Sequence, residues 1–140
     1  MSGDAFVVAV TFVVRYNPEF DGHDVLLERD YWLASGCHLL PPGLACCHLD
    51  AAVHLGVQGA SALLADASGY HGADTEALMT AIRQIPEPQA VQKVLLAREK
   101  AYRASVLRNP TKAIHLPLWL DRVRRLRDYV VQQYPALGGL

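Results

Sequence analysis

Several features that would identify an enzyme or a cofactor-binding protein directly are missing from this sequence of 140 residues. It contains no glycine-rich phosphate or dinucleotide loop of the GxxxxGK[ST] or GxGxxG type, no GxSxG nucleophile turn and no HExxH zinc motif. Enzyme classes that are recognisable by such motifs are therefore unsupported. The sequence predicts a protein that is not an enzyme and that carries no cofactor.

The chain contains few cysteines and no long, uninterrupted hydrophobic run. The three cysteines are an odd number, which does not favour a secreted, disulfide-bonded scaffold. The apolar run over residues 5–14 has about half of the roughly 20 residues that a spanning helix needs, and no basic region precedes it as in a signal peptide. The longer stretch over residues 43–67 contains Asp50, which would be costly in lipid. We therefore expect neither a signal peptide nor a transmembrane helix.

Charge of each sign is concentrated in one half of the chain, although the net charge is only -1. Residues 1–70 carry six more acidic than basic side chains, and residues 71–140 carry five more basic than acidic ones. Such asymmetry is typical of a protein with one end on an anionic surface, such as a partner protein or lipid head groups. The alternative is that the two halves neutralise each other inside one molecule.

The composition, with 51% apolar and 19% charged residues, is that of one compact domain over residues 1–140. Periodic apolar positions predict a small, mainly α domain whose helical core spans residues 51–140. A short helix is expected over 23–34, and four further helices over 45–67, 74–85, 89–108 and from Pro117 to about residue 134. Residues 1–50 are expected to be an extension of this core.

The β-branched run over residues 6–14 predicts an extended or β segment at the N-terminus. Because the rest of the chain offers few strands with which it could pair, we expect this segment to pack on another protein. Phe6, Val8 and Val10 are the predicted contact residues.

Thiols and imidazoles gather between residues 37 and 54. They are Cys37, His38, Cys46, Cys47, His48 and His54. Their spacing does not match structural zinc sites, in which pairs of thiols are separated by two to four residues. Cysteine is also often buried for packing alone. We expect reduced packing residues and no metal site, with a small helical enzyme that uses this cluster as an alternative.

Four arginines are packed into a short stretch near the C-terminus: Arg122, Arg124, Arg125 and Arg127. Four cations within six residues repel one another unless anions lie nearby. An isoelectric point near 6.6 does not indicate nucleic-acid binding, so no nucleic-acid partner is expected. We expect these arginines to contact acidic partner proteins or lipid head groups such as cardiolipin.

Part of the chain, residues 60–130, resembles the subunit seven family of the mitochondrial cytochrome bc1 complex. The resemblance lies in Leu63-Leu64, Asp66, Tyr70, Asp74, the run from Ala81 to Glu87, the basic helix with Arg98, Ala101 and Arg103, and Leu116-Pro117-Leu118-Trp119-Leu120. Residues 1–50 have no counterpart in that family.

The resemblance implies a non-catalytic accessory subunit of this respiratory-chain complex, ubiquinol-cytochrome c reductase. It would support assembly and stability as a peripheral protein on the matrix side of the mitochondrial inner membrane, in contact with cytochrome b and the core proteins. A second resemblance, to a small helical accessory subunit of respiratory complex I, is the alternative within the electron transport chain.

Overall fold

The computed structural model describes residues 2–20 and 25–139, and for residues 2–4 the backbone only. Within these ranges the chain is mainly α-helical and contains no β-strand. Its α-helices are α1 (Ser2–Tyr16), α2 (Pro42–Ser68), α3 (Thr75–Arg83), α4 (Glu87–Arg108) and α5 (Leu116–Gln133). The connections include a π-helical segment, Leu27–Leu33, and short 3-10 helices at Cys37–Leu39, Pro110–His115 and Pro135–Leu137.

Helix α2 is the centre of the fold, because α1, α3, α4 and α5 all pack against it. The first half of α2 is almost continuously buried, as expected for a helix surrounded by others. Its N-terminus is capped from another helix. The Glu87 carboxylate accepts hydrogen bonds from the backbone N–H groups of Gly43 at 2.8 Å and Leu44 at 3.2 Å. The start of α4 is thereby fixed to the start of α2.

The helices predicted from the core region are confirmed within a few residues at each end. Asp74 caps α3 as its sequence context indicates, since its side chain accepts hydrogen bonds from the backbone N–H groups of Glu76 and Ala77. Pro117 lies in the first turn of α5, where a proline is tolerated. The helix expected over residues 23–34 is a π-helical segment over Leu27–Leu33, and part of the expected range lies outside the described residues.

The extended N-terminal segment is not confirmed, because residues 6–14 lie within helix α1. Ala9, Phe12 and Val13 are buried, while Val7 and Thr11 are exposed, and this is the periodicity of a helix with one face on the core. A run in which nearly every residue is apolar does not show this period, so a strand and a buried helix could not be told apart.

The N-terminal segment also packs against other parts of this chain. Helix α1 packs on α2, and the Tyr129 hydroxyl in α5 donates a hydrogen bond to the Val8 carbonyl at 2.6 Å. Phe6 packs edge-on against Trp32, with 5.2 Å between ring centroids. Val10 is 3% exposed, so it is a core residue and not a surface contact for a partner.

No helix in the described part of the chain is both long enough and apolar enough to cross a membrane.

Candidate functional site

A buried ionic cluster joins α2, α4 and α5 at the centre of the molecule. The Asp50 carboxylate in α2 is fully buried and contacts two guanidinium groups, that of Arg98 at 2.8 Å and that of Arg122 at 2.7 Å. Burial opposes ionisation of Asp50, but the charges of both arginines outweigh it and hold the pKa of this carboxyl below its usual range. The cluster therefore has two cations and one anion.

The cluster continues through Tyr102 to His54. Nε of Arg98 donates to the Tyr102 hydroxyl at 2.9 Å, and that hydroxyl lies 2.6 Å from Nδ1 of His54. A second Arg98 nitrogen lies 3.4 Å from the same Nδ1. Because arginine can only donate, Nδ1 acts as an acceptor, and the proton of this imidazole is assigned to Nε2.

The His54 imidazole is neutral at pH 7. Desolvation, followed by the positive charges of Arg98 and Arg122, lowers the pKa of His54 to about 4. Within residues 2–20 and 25–139, no residue hydrogen-bonds to Nε2 of this ring. His54 therefore presents an unused N–H donor.

His54 and Tyr102 form one side of a pocket of about 590 Å³ between α2, α4 and the start of α5, here called the α2–α4 pocket. Its floor consists of small and aliphatic residues: Leu55, Gly59, Ala62, Leu63, Ala97, Ala101 and Ala104. Its polar lining consists of Asp66, Lys100, Ser105, Arg108 and Lys112. An apolar cavity of this size with a few polar groups is the usual form of a small-molecule site.

Trp119 lines this pocket and stacks with two other aromatic rings. Trp119 stacks on Tyr102, with 5.1 Å between ring centroids, and His115 stacks on Trp119 at 5.7 Å. These two contacts help to hold the indole in position.

A break in α2 gives the pocket its shape. Gly56 has φ 85° and ψ 162°, a conformation that is open essentially to glycine alone. The helix therefore changes course directly after His54 and Leu55, and residues on both sides of the break line the cavity.

The structure separates the four clustered arginines. Arg122 points into the protein to Asp50 and is only 8% exposed, so the expectation that it contacts a partner is corrected. Arg124 and Arg125 are exposed and both pair with Asp121 on their own helix. Arg127 is half-buried. The bond between Arg122 and Asp50 joins the basic half of the chain to its acidic half.

The thiols are packed inside the protein and are not in disulfides. Burial raises the pKa of Cys37 and of Cys47 to about 12 and raises that of Cys46 well above its ordinary value. A thiol that stays protonated in the core is a poor nucleophile and a poor metal ligand. In the described part of the chain, no three His, Cys, Asp or Glu side chains are arranged to hold a metal ion.

His48 is also a core residue. It is fully buried, Nε2 of its ring lies 2.9 Å from the Ser35 carbonyl oxygen, and desolvation lowers its pKa to about 4. Since a carbonyl oxygen can only accept, Nε2 donates this bond. The structure therefore does not unite the six thiols and imidazoles in one site, because His54 belongs to the α2–α4 pocket.

Sequence reasoning did not single out Asp50, Arg98 and Tyr102 as one group. A signal was present, because a carboxylate in the middle of an apolar helix requires a buried partner of opposite charge. Its partners lie 48 and 72 residues further along the chain, and only the packing of α4 and α5 on α2 identifies them.

Comparison with known proteins gives no match: no family model, curated protein or solved structure is similar to this chain.

Proposed function

We propose that this chain is a non-catalytic accessory subunit that docks on a larger assembly through the corner between α4 and α5. One observation carries the proposal. Three large apolar side chains at this corner are almost fully exposed: Leu107 is 83%, Ile114 77% and Leu118 71% exposed. The elements that carry them contact one another, and exposed apolar side chains close together are typical of an interaction surface.

The three residues lie on consecutive elements, at the end of α4, in the 3-10 helix Pro110–His115 and in the first turn of α5. Arg108 and Lys112 are exposed beside them, and residues 100–120 include four Lys and Arg but no Asp or Glu. We call Leu107, Arg108, Lys112, Ile114 and Leu118 the corner surface. Its charge favours an acidic partner, and electrostatic attraction would speed association and orient the complex.

The assembly that we propose is the cytochrome bc1 complex, on the matrix side of the mitochondrial inner membrane. This assignment rests on the sequence resemblance over residues 60–130, and the corner surface lies inside that range. Cytochrome b and the core proteins are the proposed protein neighbours, and cardiolipin is the proposed lipid contact. Respiratory complex I is the alternative assembly.

The corner surface replaces the arginine cluster as the proposed docking element. Arg122 is held by Asp50, and Asp121 already partly neutralises Arg124 and Arg125. Within the described residues, the cations of the corner surface form no ion pair with a carboxylate. A partner carboxylate would therefore gain more from contact with the corner than with the exposed face of α5.

The small helical enzyme is the weaker alternative, because its proposed nucleophiles lie in the core. Cys37, Cys46 and Cys47 are all at most 1% exposed, and their thiols are held protonated by burial. A substrate would have to enter the packed interior to reach them. No observation favours this alternative over docking.

Purification of the tagged full chain from native mitochondrial membranes tests the proposal. We expect subunits of the bc1 complex to accompany the wild-type chain. The variant L107S/I114S/L118S should lose them, and added salt should weaken the wild-type contact. The control V25S/L33S replaces two exposed apolar residues outside the corner surface, Leu33 of the π-helical segment and Val25 just before it, and it should retain the partners.

Both variants should unfold at nearly the wild-type temperature, because exposed side chains contribute little to stability. Complex I subunits in place of bc1 subunits would favour the alternative assembly. Equal recovery of partners with the corner variant and the control would contradict the docking surface. Binding to cardiolipin vesicles without any protein partner would contradict the role as a subunit.

A further inference from the structure

The α2–α4 pocket lies in a positive electrostatic environment. Lys100, Arg108 and Lys112 line it, against the single carboxylate of Asp66. Directly behind the wall formed by His54 and Tyr102, the buried cluster contributes a further excess cation, because among the described residues Arg98 and Arg122 share the one carboxylate of Asp50. A buried charge that is not balanced is costly, and an anion nearby would reduce that cost.

Hydrogen-bond donors in the same cluster are left unused. His54 lines the pocket, and Nε2 of its ring has no hydrogen-bond partner within residues 2–20 and 25–139. Nη1 of Arg98 is buried and also lacks a partner in the described part of the chain. Arg98 itself does not line the pocket, so of these two donors it is the N–H of half-buried His54 that is placed to donate to a molecule bound there.

The rest of the pocket lining indicates the chemical character of the uncharged part of such an anion. The floor is formed by glycine, alanine and leucine side chains, which offer apolar surface and no hydrogen bonds. Trp119 already stacks with Tyr102 and His115, and most of the lining is aliphatic rather than aromatic. An aliphatic body fits this floor better than a flat heterocycle.

We propose that the α2–α4 pocket binds an amphipathic organic anion. Its phosphate or carboxylate head lies among Lys100, Lys112 and the N–H of His54, and its aliphatic body rests on the small residues of α2 and α4. This site is distinct from the docking function proposed above, although Arg108 and Lys112 belong to both surfaces. The test therefore uses Lys100 and Ala101, which are not part of the corner surface.

Calorimetric titration of the full chain with four probes tests this site. The probes are decyl phosphate and decanoate, each below its micelle concentration, together with decanol and inorganic phosphate. We expect one of the two amphipathic anions to bind with one molecule per chain. Decanol and inorganic phosphate should each bind at least about tenfold more weakly, a factor that corresponds to about 1.4 kcal/mol. The stronger of the two anions identifies the head group.

Three variants locate the binding. K100Q removes a cation from the rim, and A101F fills the cavity from an exposed helical position that tolerates a larger side chain. Each should weaken binding of the preferred anion by on the order of tenfold, while the unfolding temperature stays close to that of the wild type. The control K93Q removes an exposed lysine of α4 that does not line this pocket, and it should bind like the wild type.

Three results would overturn the proposal. If decanol binds as tightly as the anions, the cations do not select the ligand. If inorganic phosphate binds as tightly as decyl phosphate, the apolar floor has no role. If neither anion binds, or if both K100Q and A101F bind like the wild type, the ligand does not occupy this pocket. None of these results bears on the corner surface.

Discussion

Asp50 shows how one residue can organise three helices. Its carboxylate lies on α2, and its two guanidinium partners lie on α4 and α5, so the ion pairs fix the relative positions of these helices. A buried ion pair adds little net stability compared with well-packed apolar residues, but removal of one partner leaves the other charge buried and unpaired. Loss of one charge from this buried cluster should therefore cost more stability than loss of one charge from the exposed ion pairs on α5.

Replacing Asp50 by Asn should destabilise the protein strongly. The amide keeps the size of the side chain but removes the only carboxylate that contacts Arg98 and Arg122 in the described structure. We expect a loss of about 3–5 kcal/mol in the free energy of unfolding, measured by urea denaturation.

The variant D121N is the matched control, since Asp121 also pairs with two arginines, but at the protein surface. Its effect should be much smaller, because water and salt screen exposed ion pairs. A stability of D50N equal to that of the wild type would show that the buried pairs do not hold α4 and α5 on α2. In that case the packing of apolar side chains alone would determine the arrangement.

At the scale of secondary structure, two glycines of α2 have different roles. Gly69 ends the helix in a left-handed conformation with φ 81° and ψ 1°, which asparagine also adopts. Gly56 interrupts the helix with φ 85° and ψ 162°, a region that is closed to all residues with a side chain. The space around both positions is open, so any cost of substitution comes from the backbone and not from steric contact.

We therefore expect G56A to lower the free energy of unfolding by about 1–3 kcal/mol, measured by chemical denaturation. G56N should be no better than G56A. At the control position, G69N should recover much of the stability that G69A loses, because asparagine tolerates the left-handed conformation. If G56A were as stable as the wild type, the break would not depend on glycine, and the helix could be continuous.

In helix α1 the local hydrophobic pattern was not sufficient to predict the secondary structure. Helices α3, α4 and α5 each have a polar face, so their sequences show the helical period of apolar residues. Prolines and caps mark their ends, and their positions were therefore predicted within a few residues. In α1 the apolar residues surround most of the helix, and the pattern is consistent with a strand as well. Its contacts with α2 and with Tyr129 make it a helix on the core.

For the whole molecule, stability should fall as the pH drops from about 6.5 to 4. Desolvation lowers the pKa of His48 to about 4, so the folded state keeps this imidazole neutral while the unfolded state takes up a proton below pH 6.5. The unfolded state binds more protons in this range, and stability therefore rises with pH. The contribution of His48 is about 3 kcal/mol when fully developed.

His54 acts in the same direction, but it is less buried and contributes less. Below pH 4 the loss continues, because Asp50 has a lowered pKa, and its contribution disappears as the pH falls from the unfolded pKa through the folded one.

Urea denaturation of the full chain at several pH values measures this dependence. H48Q should reduce the slope of the profile between pH 6.5 and 4, since glutamine does not titrate there and can still donate a hydrogen bond to the Ser35 carbonyl, while the contribution of His54 remains. The control H71Q makes the same substitution at an exposed histidine, and its profile is compared with that of H48Q. A wild-type profile that is flat over this range would contradict the assignment of His48 as a neutral core residue.

The sequence by itself determined the helical class, the limits of α2 to α5 within a few residues and the cap at Asp74, because these depend on periodicity, prolines and local hydrogen bonds. Only the tertiary structure decided the conformation of residues 6–14, the burial of Arg122 and the composition of the α2–α4 pocket. The physical reason is that the partner of a buried charge or of an apolar run comes from a distant part of the chain. The local sequence therefore does not show which partner it will have. Asp50 selects Arg98 and Arg122 from eleven basic residues in the second half of the chain because the packing of α4 and α5 brings these two into the core.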